Sequence, residues 1–324
     1  MAGAKDTDDL AVQVAWLSYI GGYTQADIAS RLSLSRAKVH RLISEAHAAG
    51  YVHVFIDRSP ARLVALEDRV RDAFGLRQCT VVPDISDHED RAPNVAAVGA
   101  AAARYLHGRF ASGDIASLGL SWGRALSEMT RQLPRGQYSD LALVSLMGSL
   151  TLQSAINPFD VVYRLADITG GQGFFLPAPF MADSVEDKSV LVAQRSVSDA
   201  LERARGVDLC CVGIGALLKE QPMFAQAVGL LGESDLADLQ AAGAEGELLG
   251  HFLDSSGRLV DSPTNNRTIG LSLDELKGLD VMGVAAGEHK APALIAVLNS
   301  GVLDYLIIDE RAADAVCLLM DKAG

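Results

Sequence analysis

The stretch TQADIASRLSLSRAKVHRLISEAHAAG, residues 24–50, decides how this chain is interpreted. It predicts two short helices joined by a tight turn. Thr24 is placed to cap the first helix, with Asp27 in its first turn to complement the helix dipole. The pattern breaks at Ser33 to Ser35, and Ser35 is placed to cap a second helix over residues 35–47. This spacing is typical of a helix-turn-helix unit.

Apolar and small residues in this stretch fit two helices that cross closely. Ala29 lies where the helices must approach each other, so a small side chain is needed there. Leu34 in the turn can fill the space between them, and Val39 can pack back onto the first helix.

The outer face of the second helix is basic. Between Arg31, at the end of the first helix, and His53, the bases are Arg31, Arg36, Lys38 and Arg41, against a single acid, Glu45. The whole chain carries a formal net charge of -13. A locally positive helix on an acidic background is the electrostatic signature of DNA binding, and a recognition helix contacts DNA with its N-terminal half. The candidate DNA contacts are Thr24, Gln25, Ser35, Arg36, Lys38, Val39 and Arg41. The alternative is an ordinary helical hairpin with a solvated basic face.

The length of 324 residues suits two domains. Residues 1–57 form the predicted helix-turn-helix domain, in which residues 51–57 alternate as a wing or ribbon would. Residues 58–75 form a linker and a helical stripe that either bridges subunits or packs on its own domain. Residues 76–324 form the predicted effector-binding domain.

Short apolar strands alternate with helical patterns throughout the larger domain. Such strands predict a parallel sheet covered on both faces, so the fold class is α/β with an added helix-turn-helix domain. Ligands bind at the carboxyl ends of strands in these sheets. The predicted strands are Cys79–Val82, Ile115–Leu118, Leu141–Leu146, Phe174–Leu176, Leu209–Ile214, Val281–Ala285 and Tyr305–Ile308. A small hairpin is predicted at residues 251–260, turning at Asp254 to Gly257.

Loops that follow the predicted strands supply the candidate effector site. In residues 119–125, GLSWGRA, the free N–H groups at a helix start favour an anion or ligand hydroxyls. Trp122 either stacks on a sugar or is buried in the core. For Glu247 and Lys290, a solvated charge is the alternative. The candidate effector contacts are Ser121, Trp122, Gly123, Arg124, Gly148, Ser149, Glu247 and Lys290.

Several classes of protein do not fit the sequence. It contains no P-loop, G-x-S-x-G or H-E-x-x-H motif, so we expect no enzyme, catalytic residue or cofactor. Its four cysteines lack metal-ligand spacing, which favours buried thiols in a reducing compartment and no metal. The acidic N-terminal segment does not resemble a signal peptide, and apolar runs are shorter than the roughly 20 residues of a membrane span. A cytoplasmic protein without membrane contact is expected.

Taken in order, these motifs resemble the SorC family of bacterial sugar-responsive transcriptional regulators. The resemblance runs from about Leu10 to the end and is carried by residues 24–54, by SLGLSWGRAL, and by the blocks GELLGHFLD, NNRTIGLSLDEL and VMGVAAGEHKAPALIAVLNSGVLDYLIIDE. It implies a sensing domain related to sugar-phosphate isomerases. It also implies a homo-oligomer, dimer or tetramer, whose affinity for double-stranded operator DNA changes on binding an effector. By matching positions, the effector would contact Ser121 to Arg124, with Glu247 and Lys290 across the crevice.

Two positions depart from the family pattern. Ala125 stands where many members carry a phosphate-binding threonine, and Glu247 stands where many carry aspartate. The first departure leaves an unphosphorylated sugar or a polyol open beside a sugar phosphate. The expected function is a sugar- or polyol-responsive regulator, a repressor of a carbohydrate catabolic operon. The alternative is a sugar-phosphate isomerase-like enzyme with an appended helical domain, in which Glu247 and Lys290 would be catalytic.

Overall fold

The computed structural model describes residues 2–52, 54, 60–84, 94–149, 158–217 and 231–323. The chain divides into two compact units, residues 1–56 and residues 57–324. We call the first unit the head and the second the body.

The head is helical. Helix α1, Ala2–Ala15, continues into a π-helical stretch, Trp16–Ile20, and is followed by α2, Gln25–Leu32, and α3, Arg36–Ala48. The Thr24 hydroxyl accepts a hydrogen bond from the Asp27 N–H, and the Asp27 carboxylate accepts one from the Thr24 N–H, which completes a capping box. The Ser35 hydroxyl caps α3 by accepting from the Lys38 N–H at 3.1 Å. Both predicted caps are confirmed.

A separate apolar core holds the three helices of the head together. It contains Ala29 and Val39, the two positions predicted to lie where the helices cross, together with Ala11, Val14, Ala15, Ile28, Leu42 and Ala46. Val39 is 0% exposed, so its inclusion among the DNA contacts was wrong. Its side chain faces inward and fixes α3 from behind. The predicted ribbon at 51–57 and the linker residues 58 and 59 lie largely outside the described residues.

The body is built on a seven-stranded parallel sheet in the order β1-β10-β9-β5-β2-β3-β4. These strands are β1 Gln78–Val82, β2 Ser117–Leu120, β3 Ala142–Ser145, β4 Gln172–Phe174, β5 Leu209–Gly213, β9 Val281–Ala285 and β10 Tyr305–Asp309. All seven predicted strands correspond to strands of this sheet. Their alternate residues pack on opposite faces: Cys210 belongs to one apolar cluster and Cys211 to the other. The predicted α/β class is confirmed.

Helices cover both faces of this sheet. The described body helices are α4 Ala61–Phe74, α5 Val95–Ser112, α6 Arg124–Gln132, α7 Pro158–Thr169, α8 Val185–Val192, α9 Arg195–Arg205, α10 Glu233–Ala241, α11 Pro263–Arg267, α12 Leu273–Leu276, α13 Ala291–Asn299 and α14 Glu310–Ala323. The helical stripe predicted after the linker is α4. Leu63 and Val70 of α4 are buried in the body core. On the same helix, Arg62 pairs with Glu310 and Asp314, so α4 packs along α14 of its own domain.

A small antiparallel sheet is added to this plan. Its strands are β6 Gly215–Ala216, β7 Gly246–Leu248 and β8 His251–Leu253. The β7–β8 turn consists of Leu249 and Gly250, both with positive φ, as a two-residue hairpin turn of type I′ requires. The predicted turn at Asp254 also exists, since the Gly257 N–H donates to the Asp254 carbonyl at 2.9 Å. The sequence therefore predicted the second of two turns and missed the tighter first one.

Candidate functional site

The basic end of α3 is accessible in the head. The Arg36 and Arg41 side chains are exposed, Lys38 is half-buried, and Ser35 is exposed at the N-cap. The Arg41 Nε lies 3.2 Å from the Glu45 carboxylate, in an exposed i,i+4 pair that is easily exchanged for a phosphate. Thr24 and Gln25, at the start of α2, are also exposed. Apart from Val39, the predicted DNA contacts are therefore all exposed or half-buried.

In the body, the predicted loops meet at one edge of the sheet. Strands β9, β5, β2 and β3 are neighbours, and their carboxyl ends lead into the candidate loops. The chain runs outward from β2 through β3 to β4 and then returns to β5 on the other side of β2. The β2–β5 boundary is thus the topological switch point, where open α/β sheets bind their ligands.

Two loops are joined directly across this switch point. The Ser121 N–H donates to the Cys211 carbonyl at 3.1 Å, and the Gly213 N–H donates to the Ser121 hydroxyl at 2.9 Å. A Cβ on Gly213 would lie 2.8 Å from the Trp122 carbonyl, so only glycine lets the loops approach this closely. Ser121 is 3% exposed, and its hydroxyl is therefore engaged within the protein. The backbone of the loop and the start of α6 remain for a ligand.

Glu247 lies on β7, directly opposite Gly215 in the antiparallel register. Its carboxylate accepts a hydrogen bond from the Gly250 N–H at 2.5 Å. A Cβ on Gly215 would lie 2.2 Å from the Glu247 Oε2, so the glycine leaves room for this carboxylate. The Glu247 side chain is therefore buried and not solvated.

Lys290 ends the short 3-10 helix that follows β9. Its Nζ donates to the Ile214 carbonyl at 2.6 Å, in the loop after β5. Lys290 therefore joins the loops after β9 and β5, beside the strand that carries Glu247. Glu247 is therefore not a solvated charge, and Lys290 is half-buried with its ammonium bonded to the protein.

Burial shifts the pKa values of these two groups in opposite directions. It raises the pKa of Glu247 to about 7, although the Gly250 N–H and Lys290 oppose this shift. Burial also lowers the pKa of Lys290 to about 8, assisted by the positive charge of Arg124 and opposed by Glu247 and Asp309. Each residue stabilises the charged form of the other. Because the pKa of Glu247 lies near 7, this carboxyl is partly protonated at neutral pH, whereas Lys290 stays mostly charged there.

A further residue that the sequence reading missed is Asp309, at the carboxyl end of β10. This buried carboxylate accepts from the Gly287 N–H at 3.0 and 3.1 Å and from the Ala312 N–H at 3.1 Å. Gly287 has a φ of 105°, which favours glycine, and it begins the turn leading to Lys290. Asp309 therefore positions the loop that carries the lysine. An acid that ends a buried strand was the signal that could have identified it.

Packing alone accounts for some of the other candidates. Trp122 is 9% exposed and packs edge-to-face on Phe180, with ring centroids 5.8 Å apart, which favours the core alternative. A Cβ on Gly148 would lie 2.1 Å from the Pro179 carbonyl. The backbone of Ser149 is bonded to the same segment, through the Ala178 carbonyl and the Phe180 N–H. These contacts hold the loops after β2 and β3 against residues 178–180.

The loops at the carboxyl ends of the strands thus present a buried carboxylate, a half-buried ammonium and the N-terminus of α6, with Arg124 exposed in its first turn. A carboxylate accepts hydrogen bonds from ligand hydroxyls and an ammonium donates to them, so the arrangement suits a small polyhydroxylated ligand. Within the described ranges, no cluster of His, Cys, Asp and Glu could hold a metal ion. Among those same residues, the structure contains no helix with the length and apolar character of a membrane span.

Comparisons with known proteins find a family that matches the body and relatives that match nearly the whole chain. The family described as a "putative sugar-binding domain" matches residues 58–317. The erythritol catabolism regulatory protein EryD of Brucella abortus is 39% identical over 314 residues, covering 97% of this chain and 98% of that protein. The transcriptional regulator LsrR of Klebsiella pneumoniae is 31% identical, covering 96% of this chain and 94% of that protein.

Solved structures agree with the fold. The full-length sorbitol operon regulator SorC from Klebsiella pneumoniae matches with a TM-score of 0.72 at 23% identity, covering 94% of this chain and 97% of the other. A DeoR family transcriptional regulator from Listeria monocytogenes matches with a TM-score of 0.71 at 27% identity, covering 79% of this chain and 99% of the other. The similarity to SorC extends over most of both chains.

Proposed function

Because this chain belongs to the SorC family of sugar-binding transcriptional regulators, we propose that its body binds a small unphosphorylated polyol of the erythritol class and thereby sets the affinity of its head for operator DNA. The observation that carries the effector assignment is the proximity of buried Glu247 and half-buried Lys290 beside the loop that follows β5. We propose that the chain is a repressor and that polyol binding releases it from DNA.

The head supports DNA binding by presenting its cations on one helix end. Arg36, Lys38 and Arg41 lie on the N-terminal half of α3, with Ser35 at the cap and Val39 buried behind them. In a helix-turn-helix this half enters the major groove. A two-fold pair of heads would read half-sites separated by about 10 base pairs or a multiple of that spacing.

The chemistry of the crevice favours a neutral ligand. Ala125, in the first turn of α6, is buried and supplies no hydroxyl for a phosphate. Glu247 adds a negative charge that would repel a phosphate placed beside it. Hydroxyls of a polyol fit both members of the pair, since they donate to Glu247 and accept from Lys290. The name of the relative EryD refers to erythritol, and its similarity to this chain extends over both units.

The proposal is tested with DNA fragments that the full chain itself selects from a random library. Retention of these fragments is measured with and without erythritol, and with a phosphate monoester of erythritol. We expect binding that weakens steeply with salt, and an affinity that changes at least ten-fold with erythritol but not with the ester. A response to the ester alone would contradict the neutral-ligand assignment. Turnover of pentose or hexose phosphates would favour the isomerase alternative instead.

Effector binding is expected to depend on pH because both members of the pair titrate near neutrality. Below about pH 7 Glu247 takes up a proton, and its carboxylate can no longer accept hydroxyl hydrogen bonds as well. Above about pH 8 Lys290 loses its charge and donates less strongly. Polyol affinity should therefore be highest between these values and fall on both sides. Calorimetric titration from pH 5.5 to 9.5 measures this profile.

The matched control for the pH profile is Glu247→Gln. The amide cannot titrate, so the acid limb should flatten while the alkaline limb stays. An acid limb that persists unchanged in this variant would assign the titration to another group, of which His289 is the nearest candidate because its pKa is also lowered by burial and by Lys290.

A further inference from the structure

The buried residues of α3 define the direction in which this helix points away from the head core. Val39, Leu42 and Ala46 are its buried residues. Because successive residues of an α-helix are about 100° apart around its axis, these three share an arc of about 60°. The direction opposite this arc passes within about 15° of Ala37 and Ser44. Both are exposed, and they mark the outermost line of the helix.

The two cations at the start of α3 lie on its flanks and not on this line. By the same spacing, Arg36 and Lys38 are each about 90–110° from the outermost direction, on opposite sides of the helix. Lys38 is half-buried, which agrees with a lateral position. A helix in the major groove, which is about 12 Å wide, has base edges in front of it and a phosphate strand on each side. Arg36 and Lys38 are therefore placed to contact the phosphates of the two strands.

Two of the exposed residues near the outermost line are engaged within the helix itself. His40 and Arg41 lie about 50° to either side of the line. The Arg41 side chain pairs with Glu45, one turn further along, and the Ser44 hydroxyl donates to the His40 carbonyl at 3.2 Å. The His40 imidazole is exposed and has no hydrogen-bond partner among the described residues. Ala37 and His40 thus remain to face the bases from the N-terminal half of α3, the half that reaches them.

We propose that Ala37 and His40 read the base edges of the operator half-site, while Arg36, Lys38 and Arg41 bind phosphates. This inference rests on the proposed DNA binding by the head and adds the bases that the head selects. The methyl group of Ala37 fits the C5-methyl group of thymine, which projects into the major groove. An imidazole N–H of His40 donates to guanine, whose major-groove edge presents the two acceptors N7 and O6.

The spacing of the two residues predicts the relative position of these bases. Ala37 and His40 are three residues apart, which is about 4.5 Å along the helix axis. Successive bases of B-DNA are about 3.4 Å apart along the duplex axis. A helix that lies along the groove therefore brings the two side chains to neighbouring base pairs. The half-site should contain a thymine and a guanine, on either strand, in adjacent base pairs.

The experiment is selection of DNA from a random library by the full chain and by two variants, followed by sequencing of the bound fragments. In His40→Asn the amide suits adenine, which it can bond at N6 and N7, so adenine should replace the guanine of the wild-type half-site. In Ala37→Ser the preference for thymine at the neighbouring base pair should be lost. Each substitution should change the discrimination at one base pair by about 5- to 150-fold.

The matched control is Arg36→Ala, which removes a flanking cation from the same turn of α3. It should weaken binding to every sequence and reduce its salt dependence, and it should leave the preferred bases unchanged. All three substituted side chains are exposed, so the head should stay folded, which circular dichroism checks. Unchanged base preferences in His40→Asn or Ala37→Ser, or altered preferences in Arg36→Ala, would overturn this assignment alone. A wild-type chain that enriches no sequence would overturn DNA binding by the head as well.

Discussion

Replacing Arg41 by alanine is expected to lower the affinity of the full chain for its operator by roughly 30-fold or more. A side chain that contacts a base or phosphate contributes about 1–3 kcal/mol, and a two-fold pair of heads loses the contact twice. About 2 kcal/mol in total corresponds to this factor. Arg41 has no buried partner to stabilise, because its pair with Glu45 is exposed. Fluorescence anisotropy of labelled operator at fixed salt measures the change.

The salt dependence of the Arg41→Ala variant separates a phosphate contact from a base contact. Loss of one phosphate contact from each head should lower the slope of log affinity against log salt by about two. Arg195→Ala is the matched control, because it removes the same charge from a side chain of the body that is 94% exposed. Equal losses of operator affinity in Arg41→Ala and Arg195→Ala would show that the effect comes from the change in net charge alone. Loss of polyol binding together with DNA binding would indicate misfolding.

Replacing Lys290 by methionine is expected to weaken polyol binding by about 10- to 150-fold, the range for a hydrogen bond to a charged group. A second effect acts in the same direction. Lys290 opposes the burial that raises the pKa of Glu247, so without the lysine more Glu247 is protonated at pH 7. Binding to operator without effector should remain as in the wild-type chain. Calorimetry with erythritol and anisotropy with DNA give the two readouts.

A methionine at position 290 keeps most of the side-chain volume, and Glu247 can take up a proton when the ammonium is gone, so the body should stay folded. The control is Lys277→Met, in which an exposed lysine that pairs with Asp274 is removed from the same domain. Thermal unfolding of both variants checks that neither loses its core. Wild-type polyol affinity in Lys290→Met would remove this lysine from the effector site.

Local patterns in the sequence were sufficient for the helices of the head and the strands of the body. Thr24 and Ser35 cap their helices through contacts only three residues away, which a pattern can encode. The strands were predicted because buried parallel strands are continuous apolar runs. Positions of strand ends differed by one or two residues, for example where the polar residues Gln78 and Asp309 extend β1 and β10 beyond the apolar run.

Contacts between distant segments limited what could be predicted of the site. Burial of Glu247 depends on Gly215, more than thirty residues earlier, and Lys290 reaches a carbonyl 76 residues away. No local pattern shows that either charge leaves solvent. Val39 illustrates the opposite error, since it lies among cations in the sequence but faces the head core. The helical periodicity of the sequence already favoured an inward direction for Val39. The charge of its neighbours nevertheless led to its inclusion among the DNA contacts.

The clamp made by Asp309 has a mechanical consequence. This carboxylate holds the turn before Lys290 and also the first N–H groups of α14, which starts at the next residue. Further along, α14 pairs through Glu310, Asp314 and Asp321 with Arg62 and Arg69 of α4. A helix transmits a displacement along its whole length, so a ligand that moved the turn before Lys290 by a fraction of an ångström would tilt α14. Through the ion pairs of Arg62 and Arg69, this tilt would also move α4, the helix that follows the head in the sequence.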